Sequence, residues 1–479
     1  MVLDFIVVPS WRTRRWRGSG RFSSPRRHVF PIDLPGTPVL VATVTDSAKS
    51  LSPQEWKHRE IAEKVWLDAR ENFVDPTMNG LDWDLVKKDL LSRRLHTKAD
   101  LYASLKWMLS LLNDPYTTLL PPADYSTFRE SIEGSEIGIG ASVRLRNNSS
   151  SLLPGLLNIF SPSKKPRDVE LCDVLKGGPA LRAGLKEGDV VVAVDRRPTS
   201  TMCIKDISDS LHGKDRTRVE LLIQEAPGTF RKFSVKREKV QIDTVFSETV
   251  VVGSENKKQN VAYLQVREWS KNSFKESVRA LGGFLAEDGN PVDALVIDLR
   301  DNSGGVLPDA IEFTRLFVRK KGAKLVNFVV RGEMSSSVVE TSTFASVRDA
   351  ILDLQSGTKW RRKSAVSDRI PICVLVNQHT ASASELVAAA LRDNCRATIV
   401  GTKTYGKSSI QSVVQLEDGE AAFKLTIATY TTPLGEPITG IVPDIVADYL
   451  PKGKRVAAHI FPRLAGKLSR KLSTCSPPP

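Results

Sequence analysis

Three short apolar runs constrain the fold of this chain more than any other feature. They are ALVIDLR at 294–300, ICVLVN at 372–377 and ATIVG at 397–401. Apolar residues that do not alternate with polar ones indicate strands buried on both faces, as in a parallel sheet covered by helices. The segments PDAIEFTRLFV and SELVAAALRD predict two of those helices. We therefore expect an α/β core built on a parallel sheet.

The rest of the chain shows four other patterns. Apolar residues recur at helical spacing over residues 54–129, and short strands with glycine turns are indicated over 134–225. Residues 145–168, rich in Ser, Asn and Pro, predict a loop insertion, and Asp418-Gly419 predicts the turn of a hairpin. A chain of 479 residues suggests two to four domains.

The net charge of +14 lies at the two ends of the chain. Residues 1–50 carry +5 and residues 451–479 carry +7, which leaves +2 for the 400 residues between them. A nearly neutral body without a basic, aromatic patch argues against nucleic-acid binding. No apolar run approaches the roughly 18–20 residues that span a bilayer, so we expect at most peripheral membrane contact.

The N-terminus resembles a targeting segment. Residues 5–32 hold seven arginines, several serines and no acidic residue, which is typical of an organellar transit peptide. A disordered basic tail or a mispredicted start is the alternative. Residues 38–50 (PVLVATVTDSAKS) are weakly apolar and are a candidate remnant of a second, export-type signal.

The cysteines and histidines do not indicate a metal site. The five cysteines are scattered without a CxxC pair, and the six histidines form no HExxH. We expect mostly reduced, buried thiols and no disulfide framework, with no metal and no cofactor.

Ser382 has two interpretations from its local sequence. In NQHTASASELVAAALRDN (377–394), Ser382 and Glu385 fit the capping box S-x-x-E at the start of a helix. The alternative is that Ser382 is a nucleophile, which requires support elsewhere in the chain. Residues 377–394 alone favour the cap.

Two other segments supply that support. In VIDLRDNSGG (296–305) a strand ends in two glycines, whose backbone N–H groups can hold an oxyanion, although a plain turn is equally consistent. In GTKTYGKSSIQSV (401–413), Lys407 becomes a general base if burial keeps it neutral, and a Ser–Lys pair needs no histidine. The alternative for Lys407 is an ordinary surface lysine.

A PDZ domain is indicated by VLKGGPALRAGLKEGDVVVAVD at 174–195. We place Leu181, Ala183 and Leu185 on its short helix, and Gly184 and Gly188-Asp189 in its turns. PDZ domains bind a peptide by adding it as a strand to a sheet edge. The expected peptide-binding residues, within SEIGIGASV (135–143), are Ile137, Gly138, Ile139 and Gly140.

Taken together, residues 53–450 resemble the C-terminal processing peptidases, also called tail-specific proteases. The motifs occur in the order found in that family: NDPYTTLL, the PDZ signature, DLRDNSGG, TASASE, YGKSSIQ and GIVPDI. The resemblance implies an α+β multidomain serine endopeptidase whose catalytic core has the crotonase and Clp-protease fold. The implied units are a targeting segment (1–52), a helical region (53–133), the PDZ domain (134–226), the catalytic core (227–450) and a basic tail (451–479).

The resemblance also assigns roles to residues. Ser382 matches the nucleophile, Lys407 the base, and Gln411 the residue that orients the lysine. Ala383 and either Gly304 or Gly305 match the backbone oxyanion donors, and Asp393 matches a supporting polar position. Ser408 departs from the glycine that usually follows the lysine, which puts the setting of Lys407 in question.

The expected function follows from these roles. The enzyme binds polypeptides with exposed C-terminal tails on its PDZ domain and cleaves them, with no metal, nucleotide or nucleic acid, as a monomer or small homo-oligomer. Plastid members trim a photosystem II reaction-centre protein, so we expect a chloroplast location, more finely the thylakoid lumen, with a bacterial-type envelope as the alternative. An inactive scaffold that binds C-terminal tails and a crotonase-like acyl-CoA enzyme are the other functional classes.

Overall fold

The computed structural model describes residues 51–145, 169–172, 174–226, 228–253, 258–284, 292–318, 322–330, 333–340, 370–448, 450–451 and 456. The predicted targeting segment, except its last two residues, lies outside the described residues. So do nearly all of the predicted loop insertion and most of the basic tail.

The helices, in chain order, are α1 (Pro53–Asn72), α2 (Trp83–Ser92), α3 (Lys98–Ser110), α4 (Pro122–Glu133), α5 (Pro179–Arg182), α6 (Ile204–Leu211), α7 (Ser273–Phe284), α8 (Leu307–Arg315) and α9 (Ala383–Asp393). Two short 3₁₀ helices span Met78–Gly80 and Thr199–Thr201. No helix among the described residues is long and apolar enough to cross a membrane.

The strands are β1 (Thr118–Leu120), β2 (Ser135–Gly138), β3 (Ser142–Leu145), β4 (Val169–Cys172), β5 (Val190–Val194), β6 (Arg197–Pro198), β7 (Arg218–Ala226), β8 (Thr229–Lys236), β9 (Glu238–Gln241), β10 (Val245–Val252), β11 (Gln259–Val266), β12 (Ala294–Asp298), β13 (Lys324–Val330), β14 (Glu333–Glu340), β15 (Ile372–Val376), β16 (Thr398–Gly401), β17 (Ser409–Gln415), β18 (Ala422–Thr431) and β19 (Ile445–Val446).

The three apolar runs form the centre of a six-stranded sheet, as predicted. Its order is β10-β11-β12-β15-β16-β19, and every pair except β10 with β11 is parallel. Leu295 and Val374 face one apolar cluster, which includes α7, α8 and α9, whereas Val296 and Leu375 face a second cluster on the other side. Burial on both faces explains why these strands lack polar alternation.

A second sheet carries the N-terminal helices. Strand β18 pairs with β1, β13 and β17. Strands β17 and β18 form the hairpin that was predicted around Asp418-Gly419. Phe423 and Leu425 of β18 pack into the same cluster as Leu101 of α3 and Trp66 of α1. The helical region therefore shares its core with the second sheet.

The sheet of the PDZ domain continues past the predicted boundary at residue 226. Its order is β3-β4-β5-β7-β8, and β7 and β8 form a hairpin across that position. The antiparallel ribbon of β2 and β9 connects the PDZ domain to the rest of the chain. The domain therefore extends to about residue 241, where β9 ends.

Four smaller expectations also need correction. Helix α5 ends at Arg182, so Ala183 and Leu185 follow it. Val456 is fully buried in the second apolar cluster, so the tail is not loosely held at that position. Cys395 is disulfide-bonded, not a reduced thiol, and Cys203 is free but exposed.

His212 fastens the PDZ domain to the connecting ribbon. Its Nδ1 lies 2.8 Å from the carbonyl oxygen of Ser208 and its Nε2 lies 2.9 Å from Oε2 of Glu136 in β2. A carbonyl and a carboxylate both accept hydrogen bonds, so the two contacts together require a doubly protonated ring. The hydrogen bond to Glu136 raises the pKa of His212 above its usual value.

The raised pKa predicts a pH-dependent contribution to stability. It is fully present below the unfolded pKa of about 6.5 and is lost as pH rises through the folded pKa. The His212→Gln variant should melt at a lower temperature than the parent at about pH 6, and at nearly the same temperature at about pH 9. Thermal melts of both proteins at the two pH values test this. An equal difference at both would contradict it.

Candidate active site

Ser382 occupies a strained and fully buried position between β15 and α9. Its φ of 61° and ψ of −119° lie outside the regions that residues with a side chain usually adopt. Such a conformation costs about 1–3 kcal/mol and persists only where surrounding contacts impose it. The hydroxyl Oγ has no hydrogen-bond partner within the described residues. It is therefore not committed to a capping bond.

The contact that imposes this conformation is the carboxylate of Glu385, one turn along α9. Oε2 accepts the N–H of Ser382 at 2.7 Å and the N–H of Lys407 at 2.8 Å. Oε1 accepts the N–H of Gly406 at 2.7 Å and the hydroxyl of Thr404 at 2.5 Å. A single buried carboxylate thus holds the backbones of the candidate nucleophile and the candidate base side by side.

The four hydrogen bonds of Glu385 agree only in part with the interpretation of Ser382 as a helix cap. Glu385 reaches back to the N–H of Ser382, as a capping box requires, but it also binds a loop about 20 residues away. Burial raises the pKa of Glu385, while the four hydrogen bonds oppose that rise. Nothing in the local sequence marks this second contact.

The loop that carries Lys407 is pressed against the GIVPDI motif. A Cβ on Gly406 would lie 2.8 Å from the carbonyl carbon of Thr439, and one on Gly440 would lie 2.7 Å from the backbone oxygen of Thr404. Both glycines also have positive φ, of 94° and 103°. The close backbone approach therefore requires glycine at both positions.

Lys407 is buried, not the surface lysine of the alternative interpretation. Its exposure is 5%, its Nζ lies 4.7 Å from the ring centroid of Tyr116, and its carbonyl accepts the hydroxyl of Tyr430 at 2.7 Å. Tyr116 belongs to the NDPYTTLL motif, which places that motif at the site. The carbonyl of Ser408 accepts the N–H of Tyr430, and Ser408 has no positive φ, so its backbone does not need glycine.

Gln411 is fully buried on β17, with its amide held at one end. Nε2 donates to Oγ of Ser409 at 2.9 Å and to Oγ1 of Thr426 at 3.1 Å, while Oε1 has no partner within the described residues. Thr426 in turn donates to Asp114 at 2.5 Å. This arrangement leaves a fixed carbonyl oxygen that can accept a hydrogen bond from the amine of a lysine.

The SGG turn lies against Trp269. The N–H of Trp269 donates to the carbonyl of Gly304, and the N–H of Val306 donates to the carbonyl of Trp269. The N–H of Gly304 also donates to Oδ1 of Asn302 at 2.9 Å. That bond engages the N–H of Gly304 with Asn302, and the choice between Gly304 and Gly305 as oxyanion donor stays a prediction. A Cβ on Gly305 would lie 2.1 Å from the oxygen of Trp269.

Asn302 and Trp269 connect this turn to the serine segment. The carbonyl of Asn302 accepts the N–H of Ala381, and the indole of Trp269 donates to Oγ of Ser384 at 2.9 Å. These contacts align the SGG turn with the start of α9, where Ala383 is the first residue. Sequence reasoning missed both residues, although Asn302 lies within the DNSGG motif.

The strand before the turn ends in a buried ion pair. Arg300 donates to both carboxylate oxygens of Asp298, at 2.9 and 2.6 Å, and Tyr263 donates to the same carboxylate at 2.8 Å. This bidentate pair fixes the DLR segment from which the SGG turn begins.

Asp393 is not brought to the site. It is the last residue of α9, eleven residues after Ser382, which corresponds to about 16 Å along the helix axis. Its carboxylate accepts a hydrogen bond from its neighbour Arg392 at 2.9 Å. The structure does not bring Asp393 to the reacting atoms, and its supporting role stays a prediction.

The predicted peptide-binding residues lie where the ribbon enters the PDZ domain. Ile137 and Gly138 belong to β2, and the Ile139 side chain is buried in the PDZ core, so Ile139 can contact a peptide only through its backbone. Gly140 follows with φ of 67°. Strand β3 pairs only with β4 among the described strands, and α6 packs beside it. Peptide binding at these four residues stays a prediction.

The described residues contain no group of three or more His, Cys, Asp or Glu side chains that could hold a metal ion. The site consists of a buried serine, a buried lysine, an amide and backbone N–H groups. These groups suit acyl transfer.

The Glu385→Gln variant tests the central contact. An amide nitrogen cannot accept a hydrogen bond, so about half of the four bonds are lost and Ser382 and Lys407 shift apart. Misplacement by about 1 Å costs roughly 100-fold in rate, so kcat should fall by about that factor while KM changes little. Steady-state cleavage assays measure both. Exposed Glu436→Gln is the matched control, and a kcat of Glu385→Gln within about threefold of the parent would contradict the role of Glu385.

Comparison with known proteins agrees with this geometry. Residues 260–447 match the model of Peptidase family S41, and residues 170–225 match that of the PDZ domain. Carboxyl-terminal-processing peptidase 2, chloroplastic, of Arabidopsis thaliana is 32% identical over 416 residues, covering 85% of this chain and 72% of that protein. The carboxyl-terminal-processing protease of a Picosynechococcus strain is 31% identical, covering 82% and 84%.

Solved structures support the same conclusion. A photosystem II D1 C-terminal processing protease is 28% identical with a TM-score of 0.50, covering 84% of this chain and 97% of that one. A putative S41 protease from Bacteroides fragilis is 16% identical with a TM-score of 0.53 over the same shares, and it supports the fold alone. The predicted α+β multidomain fold, with a catalytic core like that of the S41 proteases and a PDZ domain, is confirmed. This chain belongs to the C-terminal processing peptidases of family S41 and is a serine peptidase.

Proposed function

We propose that this peptidase cleaves polypeptides near their C-terminal tails through a Ser382–Lys407 dyad. The observation that carries the proposal is the Glu385 carboxylate, which holds the backbones of both residues at 2.7 and 2.8 Å. A serine hydroxyl without a hydrogen-bond partner and a lysine in a buried setting are the two components that such a dyad needs.

In the first step, neutral Lys407 removes the proton of the Ser382 hydroxyl as Oγ attacks the scissile carbonyl carbon. The tetrahedral oxyanion is stabilised by the N–H groups of Ala383 and of Gly304 or Gly305. The protonated lysine then gives its proton to the leaving amine, and the C–N bond breaks to leave an acyl ester on Ser382.

In the second step, water hydrolyses the ester. Lys407 accepts a proton from the attacking water and returns it to Oγ when the ester bond breaks, which restores the free enzyme. Gln411 orients the lysine through Oε1, because its Nε2 is held by Ser409 and Thr426. No metal or nucleotide takes part in this scheme.

The PDZ domain presents the substrate. A C-terminal tail adds as a strand beside β3, with Gly138 and Gly140 and their neighbours at its end, and the scissile bond upstream enters the core. The enzyme acts as a monomer or small homo-oligomer with at most peripheral membrane contact.

Relatives with chloroplastic and cyanobacterial names support a chloroplast or a bacterial-type envelope as the location. Within the chloroplast we propose the thylakoid lumen. The substrate we propose is the precursor of a photosystem II reaction-centre protein, because a similar solved structure is a photosystem II D1 C-terminal processing protease.

Cleavage assays with three variants test the dyad. The full chain is incubated with unfolded proteins that end either in an apolar tail or in the reaction-centre precursor tail, and products are identified by mass spectrometry. Ser382→Ala and Lys407→Ala should each reduce cleavage by at least about 1,000-fold, because the proton transfer and the nucleophile act as one unit. Lys403→Ala, an exposed lysine on the same loop, should cleave like the parent.

Two results would contradict the proposal. Cleavage that survives Lys407→Ala would exclude this lysine as the base. Binding of the tail with no cleavage by the parent at any pH would favour a scaffold that binds tails. Cleavage of the apolar tail alone would keep the peptidase and reject the photosystem II substrate.

A further inference from the structure

We propose that the side chain of Tyr405 binds an apolar side chain of the substrate close to the scissile bond, and so helps to decide where the peptidase cuts. The ligand is an apolar or aromatic residue of an extended polypeptide. The inference rests on the proposed dyad of Ser382 and Lys407. It goes beyond that dyad, because the dyad cleaves a bond but does not select one.

The backbone of Tyr405 connects the two segments that carry the dyad. Its N–H donates to the carbonyl oxygen of Thr380 at 3.0 Å. Thr380 is two residues before Ser382, and Tyr405 is two residues before Lys407. Two residues of chain span at most about 7 Å. The Tyr405 ring therefore starts close enough to the dyad to reach a residue that flanks the scissile bond.

The residues on both sides of Tyr405 are held in place by Glu385. The hydroxyl of Thr404 donates to Oε1 of this carboxylate at 2.5 Å, and the N–H of Gly406 donates to the same oxygen at 2.7 Å. With the bond to Thr380, these contacts fix the backbone from which the ring projects. A tyrosine on a fixed backbone offers a large contact area at a low cost in conformational entropy.

The side chain of Tyr405 is exposed although its neighbours are buried. Tyr405 is 60% exposed, whereas Thr404 and Lys407 are each 5% exposed. Tyr405 is also not part of the apolar clusters that the described residues form. An aromatic ring in water contributes little to the fold, and contact with an apolar ligand would remove its surface from water.

The segment that carries Tyr405 lies antiparallel to the GIVPDI segment. The N–H of Thr404 donates to the carbonyl oxygen of Ile441 at 3.2 Å. Two residues further on, a Cβ on Gly406 would lie 2.8 Å from the carbonyl carbon of Thr439. Because one chain rises in number as the other falls, Tyr405 lies opposite residue 440.

This arrangement leaves space beside the ring. Gly440, opposite Tyr405, has no side chain that could cover the ring. Val442 is the diagonal neighbour of Tyr405, a position about 7–8 Å away in antiparallel pairs, and it is also 60% exposed. Tyr405 and Val442 therefore flank a notch with glycine backbone between them, which we call the Tyr405 notch.

The lining of the Tyr405 notch defines the ligand it suits. Both walls are apolar, so an apolar or aromatic side chain gains most by burial between them. Lys403, two residues before Tyr405, is exposed and positively charged, and like charges repel, so it disfavours a basic side chain nearby. The PDZ domain would select the C-terminal tail, and the Tyr405 notch would select the bond to be cut.

The test compares cut sites of the full chain and its variants. The substrate is an unfolded protein with an apolar tail, and mass spectrometry identifies the products. The parent should favour an apolar residue at one fixed position within about three residues of the cut. For peptides with that residue, Tyr405→Ala should lower kcat/KM by about 10-fold or more, and for peptides with alanine there by less than about twofold.

A second measurement separates substrate binding from a structural role. A fluorophosphonate probe modifies a reactive serine without needing a peptide, and intact mass gives the rate at which it labels Ser382. Tyr405→Ala should be labelled within about twofold of the parent rate, because the dyad and its backbone contacts are unchanged.

Three further variants serve as controls. Tyr405→Phe keeps the ring and should keep the preference of the parent. Val442→Ala trims the other wall and should weaken the same preference by a smaller factor. Phe230→Ala removes an aromatic side chain that is 52% exposed on β8 of the PDZ domain, and should leave the cut sites unchanged.

Three results would overturn the inference. One is a Tyr405→Ala variant with the cut sites and rates of the parent. Another is an equal loss for all peptides together with slower labelling of Ser382, which a structural role would give. The third is a parent that favours basic residues at the fixed position. Failure of the proposed dyad is distinguishable, because the parent would then cleave none of the substrates.

Discussion

The catalytic arrangement depends on one buried carboxylate. Glu385 binds the N–H of Ser382 on one side and the 404–407 loop on the other, and the two segments come from different strand ends of the parallel sheet. Hydrogen bonds to an ionised group are stronger than neutral ones, so four of them can offset the desolvation of the charge and the strain at Ser382. The helix start, the nucleophile and the base are thereby one rigid unit.

The rest of the fold positions Ser382, Lys407 and the SGG turn around the Glu385 carboxylate. The parallel sheet supplies the strand ends, the pair of Asp298 and Arg300 fixes the turn, and Trp269 sets the turn beside α9. The second sheet contributes Gln411 from its buried face. Tyr116 lies on the connection between α3 and β1 and contacts Lys407, and the helical region shares its core with the second sheet.

The sequence predicted the features that depend on local pattern. The runs at 294–300 and 372–377 predicted buried parallel strands, because a strand that is buried on both faces has apolar residues at consecutive positions. Local pattern did not show that β8, beyond the predicted PDZ boundary at residue 226, pairs with β7, because sheet pairing joins strands through backbone contacts. Position in a motif likewise did not show that Asp393 lies at the end of a helix about 16 Å from Ser382. The contacts of Glu385 join distant segments and leave no local pattern.

The most direct test of the account is a crystal structure of the full chain with Ser382 acylated by a serine-directed inhibitor. We expect Nζ of Lys407 within about 3.2 Å of Oγ of Ser382, with the carboxylate of Glu385 still bound to both backbones. We also expect the inhibitor oxygen between the N–H group of Ala383 and that of Gly304 or Gly305. A serine ester with the Lys407 side chain turned away, or an adduct on another residue, would contradict the account.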